Sequence, residues 1–175
     1  ERKQLENKPT ENLEAYELCL KGWGSAEYFT SERLEEAEGY FREAIELDPG
    51  YARAWAGLAQ SVGWRAYLGD LPPGEFFPRM RAAANEALRL DPGLGDAHLA
   101  VAFVAMLYEW DWAKVDREVE KALELDPDDP NALGSKSYSL TLRERFSEAE
   151  TASRQALRLD PLSQGRMFEL VQTYA

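Results

Sequence analysis

The feature that most limits what this chain can fold into is a six-residue phrase that returns four times. It reads AIELDP, ALRLDP, ALELDP and ALRLDP, and ends at Pro49, Pro92, Pro127 and Pro161. The intervals between these prolines are 43, 35 and 34 residues, and an alanine stands five residues before each: Ala44, Ala87, Ala122 and Ala156. A shared register over a near-constant period marks a repeat architecture, in which one supersecondary unit is copied and stacked. The longer first interval places an insertion between Gly63 and Pro78.

Within each unit the hydrophobic period is helical. Leu34, Ala37, Phe41, Ala44 and Ile45 fall on one face at 3.6 residues per turn, and no stretch alternates as a strand would. The alanines let a neighbouring helix approach closely while Phe41 fills the space beside them. The proline then ends the helix, because it drives the preceding residue out of the α region. Asp129, Ser147 and Ser163 stand where N-caps are expected, with Pro130 at a first helical position.

The pattern predicts helices over 11–29, 31–47, 51–68, 73–90, 95–109, 111–125, 131–143, 147–159 and 163–175. Pro78 is expected to kink the fourth or to split off a first turn. The expected fold class is therefore all-α, with antiparallel helix pairs stacked in a single domain over 1–175. The units run at about 11–49, 50–92, 93–127 and 128–161, followed by a terminal helix at 163–175.

Charge and composition remove several function classes. The formal net charge of −12 repels a nucleic-acid backbone. A single cysteine, Cys19, and a single histidine, His98, cannot make an internal disulfide or a zinc-ligand set. No apolar run approaches the roughly 20 residues that span a bilayer, and the start lacks a basic-then-apolar signal segment. A cytoplasmic, cofactor-free protein is the expectation. The chain begins at Glu1 without an initiator Met, which suggests a piece of a longer protein or a processed chain.

The sequence resembles the tetratricopeptide repeat family. Ala37, Phe41, Ala44 and Pro49 stand at the family's second-helix spacing, and Trp55, Leu58 and Ala59 fit its first helix. Later units depart from that pattern, with Met80 and Ala84, Val115 and Val119, then Ala149 and Ser153 at the positions of Ala and Phe. The resemblance covers about residues 13–175 and implies a right-handed superhelix of about four and a half repeats. Segments 8–22, 71–79, 108–127 and 159–163 look like repeat regions fused behind bacterial signalling domains of adenylate-cyclase, winged-helix or protein-kinase type.

The resemblance further implies a non-catalytic interaction module whose first helices line a concave groove. Its groove positions correspond to Arg53, Gln60, Trp64, Phe103, Met106, Leu107, Tyr138, Thr141, Leu142, Phe168 and Gln172. This set is apolar in its middle and suits an apolar peptide or amphipathic helix, neutral or basic and not acidic. The alternative is a spacer or dimerisation element with a filled groove. The positions with which some family members clamp a terminal carboxylate read Ala56, Gln60, Asn131 and Ser135, which makes such a clamp unexpected.

The remaining motifs favour packing over chemistry. GWGS at 22–25 has Glu27 where a phosphate-binding string needs glycine, and DPDDP at 126–130 lacks the ligand alternation of a calcium loop. His98 and Cys19 read as core residues without a nucleophile set. Trp110 and Trp112 are expected to plug a turn whose Asp111 caps the next helix. Glu32, Glu35, Glu36, Glu38 and Glu43 read as a solvated face, with Glu38 and Arg42 as an i,i+4 pair. Met167, Leu170, Val171 and Tyr174 give the last helix an apolar face, so the chain is expected to continue or to self-associate through 163–175.

Overall fold

The structure is a computed structural model and describes residues 10–70 and 72–161. Eight α helices are found among the described residues: α1 Leu13–Ala26, α2 Ser31–Leu47, α3 Ala52–Tyr67, α4 Pro73–Leu90, α5 Gly95–Val104, α6 Trp112–Leu125, α7 Pro130–Leu142 and α8 Phe146–Leu159. A single π turn, Ala105–Glu109, extends α5. Each odd-numbered helix pairs with the even one after it, so four antiparallel pairs follow one another. The expected ninth helix, 163–175, lies outside the described residues.

The recurring phrase explains where the second helices stop. Asp48, Asp91, Asp126 and Asp160, each followed by proline, leave the helical region as C-caps, the first three with extended backbone angles, and each N–H still donates to the alanine carbonyl four residues earlier at 2.9 to 3.0 Å. The aspartate side chain then turns back on the loop: Asp48 and Asp91 accept from the N–H of Gly50 and Gly93 at 2.9 Å, and Asp126 from Asp128 at 3.1 Å. The four alanines are buried where the helices of a pair meet. One phrase therefore supplies a close contact, a helix stop and a turn.

The turns inside the pairs share a different device. Each contains one residue in the left-handed region: Phe29 (φ 49°), Gly69 (φ 85°), Trp110 (φ 54°) and Glu144 (φ 60°). Such a residue ends a helix sharply and lets the chain reverse. At the starts, Asn12, Thr30, Asp111 and Asp129 cap α1, α2, α6 and α7 through their side chains. Helix α8 begins one residue before Ser147, and Arg145 at its N-cap position makes a two-pronged ion pair with Glu148. Helix α4 is unbroken from Pro73 to Leu90 despite Pro78, which removes only the ladder bond to Gly74 in the opening turns.

Apolar residues gather in two clusters. The smaller, at α1–α3, centres on Phe41 with Cys19, Ala37, Ala44 and Tyr51. The larger runs from α3 to α7 and includes Val62, Met80, Phe103 and Tyr138. First helices of successive pairs touch one another along the array, α1 on α3, α3 on α5 and α5 on α7, which places them on its inner side.

Candidate interaction surface

The first helices present the expected groove residues in two groups. At the amino-terminal end, Arg53 of α3 pairs with Asp96 of α5 at 2.9 Å and lies over the ring of Trp23, 5.7 Å from its centre. Cys19 and Tyr51 pack behind this pair. Burial pushes the Cys19 thiol and the Tyr51 phenol up from their ordinary values, so both stay neutral and unreactive near pH 7. Gln60, half-buried, follows two turns along α3.

The second group is aromatic. Trp64 of α3 stands among four rings: Phe29 at 4.9 Å, Phe103 at 4.8 Å, Tyr138 at 5.7 Å and Tyr67 at 5.8 Å between centroids. Tyr67 closes the set by meeting Tyr138 at 6.2 Å. Aromatic pairs at these separations add stabilisation beyond the area they bury. Phe103, Met106 and Tyr138 form a floor, all buried, whereas Trp64, Leu107 and Thr141 are half-buried and Leu142 is exposed. Rings from α3 and α7 thus meet across α5, and this bridge fills part of the expected trough. Phe168 and Gln172 lie outside the described residues.

Phe29 and Tyr67 belong to this cluster and were not among the expected positions. Phe29 lies in the turn after α1 and Tyr67 is the last residue of α3; both fall within predicted helices but off the positions that the family resemblance assigns to the groove.

Glu38 is a correction: it is 1% exposed and bound by Arg42, Arg65 and Arg79, not solvated. Its i,i+4 pair with Arg42 is present at 2.6 Å. His98 is buried, with Nδ1 2.8 Å from the Glu118 carboxylate and Nε2 2.9 Å from the Pro92 carbonyl oxygen. Those contacts tie α5 to α6 and to the preceding turn. The two tryptophans divide: Trp112 is half-buried against the core under Arg143, whereas Trp110 is 64% exposed. Asp111 caps α6 by accepting from Lys114 N–H at 3.0 Å. No group of three or more His, Cys, Asp or Glu placed to hold a metal ion occurs among the described residues. No helix among them is long and apolar enough to cross a membrane.

This arrangement defines an all-α repeat superhelix of antiparallel helix pairs. Residues 25–51, which span α2 and the turns on either side of it, match the family model of the tetratricopeptide repeat. The fold of the described residues is that of tetratricopeptide-repeat proteins. A thermophilic TPR protein of Thermus thermophilus, TTC0263, superposes with a TM-score of 0.62 at 17% identity, over 81% of this chain and 73% of that one. A chain of the APC/C hetero-tetramer Cut9–Hcn1 superposes with a TM-score of 0.59 at 18% identity, over 92% of this chain and 33% of that one. No curated protein matches the sequence.

Proposed function

We propose that the chain is a non-catalytic protein–protein interaction scaffold within a larger bacterial signalling protein, and that residues 1–175 form one repeat domain. A partner segment lies along the inner side of the array. It contacts Trp64, Leu107, Thr141 and Leu142, over a floor of Phe103, Met106 and Tyr138, with Arg53 and Gln60 at one end and Phe168 and Gln172 at the other. The observation that carries this reading is the half-exposed Trp64 ring, held in one orientation by four neighbouring rings. A rigid, partly open aromatic is the anchor type on which interface energy concentrates. The chain's net charge of −12 favours a neutral or basic segment, and a cytoplasmic setting fits the single buried, free cysteine.

A peptide-display selection against the chain tests the proposal. Selected peptides should lose about tenfold or more in affinity to the Trp64→Ala and Leu142→Lys variants while helicity is kept. Failure to select any such peptide would sink the groove reading.

One observation favours a second reading, a structural spacer: the bridge from Trp64 to Tyr138 fills its own trough. Under that reading assembly runs through residues 163–175. Light scattering on the chain with and without that segment should then show a dimer only for the longer form.

A further inference from the structure

Three guanidinium groups close on the buried Glu38 of α2. Arg65 of α3 donates from Nη1 to Oε1 at 2.9 Å, whereas Arg42 of α2 and Arg79 of α4 both donate from Nη2 to Oε2, at 2.6 and 2.7 Å. One well-placed charged partner suffices to neutralise a buried carboxylate, and Arg65, only 13% exposed, fills that role. Two further carboxylates, Glu35 and Asp70, approach Arg65, at 3.7 and 3.9 Å.

Arg42 and Arg79 are placed differently. Their side chains are 51% and 41% exposed, they share a single carboxylate oxygen, and neither makes another ion pair among the described residues. Two cations drawn to one atom repel each other, and an anion arriving from solvent would relieve that repulsion. Each guanidinium keeps Nε and Nη1 donors outside its bond to Glu38, in the planar fork that matches the oxygens of a phosphoryl group. The buried Arg65 Nε also lacks a hydrogen-bond partner. The three guanidinium groups lie between the second helices α2 and α4 beside three carboxylates, Glu38, Glu35 and Asp70, so the cluster is close to neutral within a chain of net charge −12.

We propose that Arg42 and Arg79, backed by Arg65, form a receptor for a doubly charged phosphoryl oxyanion that docks over Glu38. Glu38 holds the two forks in place and competes with the ligand for their donors, so it keeps the site weak. The receptor is made by α2, α4 and the end of α3, apart from the Trp64 ring cluster, and does not depend on the function proposed for that cluster. The ligand is either free phosphate or a phosphorylated side chain of a partner.

The arginine Nε–Hε signals of the whole chain, followed by NMR at low ionic strength, test this. Two titrations are run: inorganic phosphate, and a phosphoserine peptide beside its unphosphorylated twin. Saturable shifts are expected at Arg42, Arg65 and Arg79 and not at the exposed Arg81 and Arg158. Arg42→Gln and Arg79→Gln should each weaken binding about tenfold, and Glu38→Gln should tighten it by a similar factor because the competing carboxylate is gone. Arg79→Gln leaves Glu38 with two cationic partners, and circular dichroism confirms that it folds. Tighter binding of the phosphopeptide than of phosphate assigns the ligand to a partner protein, and equal or weaker binding assigns it to the free ion; both uphold the receptor. Linear shifts common to all exposed arginines, binding unchanged in Arg42→Gln and Arg79→Gln, or no tightening in Glu38→Gln would each overturn it, leaving a purely structural cluster.

Discussion

The first and last helix pairs fill the same seam with opposite chemistry. Eight residues before its proline, the first pair places Phe41, fully buried, with its ring against Gly22 of α1 and Gly57 of α3. A Cβ added at Gly22 would lie 2.7 Å from the Phe41 Cε1, and one at Gly57 would come closer still. At the matching position the last pair places Ser153, whose Oγ meets the Ser137 Oγ at 2.5 Å while Ser137 donates to the Ala149 carbonyl at 2.9 Å. The backbone seam is therefore repeated and its filler is not. Residues 25–51, which include the ring, match the tetratricopeptide model, and the fold continues beyond them on other packing.

The comparison breaks most visibly at Phe41. Replacing it with alanine removes a ring that no other side chain can replace, and should cost about 3–5 kcal/mol in urea unfolding. Loss of less than about 1 kcal/mol would mean that the ring does not hold the first seam. Next in size is Gly57→Ala, whose added methyl group collides with the Phe41 ring and should cost about 2 kcal/mol. Combining it with Phe41→Leu sharpens the point. The smaller side chain frees room for the methyl group, so the double variant should be more stable than the sum of the single losses predicts. Additive losses would show that Gly57 matters for another reason.

The hydroxyl seam should respond less. Ser153→Ala leaves Ser137 its bond to the Ala149 carbonyl, so the expected loss is about 1 kcal/mol. Removing both hydroxyls should cost about 1 kcal/mol more, because the Ser137 bond to the Ala149 carbonyl is then lost as well. If the double variant is instead as damaging as Phe41→Ala, the two seams are equivalent in energy and differ only in composition.

How much of this was legible follows from what kind of signal each feature leaves. Helix boundaries and the turn after each second helix could be read because Ala-x-x-Leu-Asp-Pro encodes them locally: the proline acts on the aspartate beside it, and the aspartate acts on the loop two residues on. The caps at Asp111 and Asp129 were visible for the same reason. Glu38 was misassigned because charge suggests solvent, although its spacing from Leu34, Ala37 and Phe41 puts it in the apolar stripe. Its partners Arg65 and Arg79 come from other helices, and no local pattern points to them. The ring bridge from Trp64 to Tyr138 was half legible. Both residues were expected on the inner side, but their contact depends on how tightly the array curves, which the repeat period does not specify.

The third pair offers the finest test, because its seam is pinned by a charged side chain where the first uses a ring. Burial pushes the Glu118 carboxyl up, but hydrogen bonds from His98 and Arg117, with Lys121 nearby, outweigh it and hold the group below its ordinary value of 4.5. A carboxyl whose native value is depressed stabilises the fold fully when the unfolded chain is ionised as well. As the pH falls below 4.5 the unfolded chain takes up the proton first, and that stabilisation is lost. The difference in unfolding free energy between the native chain and Glu118→Gln should therefore be constant near neutrality and shrink on acidification. Phe41→Ala, compared with the native chain over the same range, should show a constant difference, since a ring carries no proton. A pH-dependent gap at Phe41, or a flat one at Glu118, would erase the distinction between apolar and charged seams.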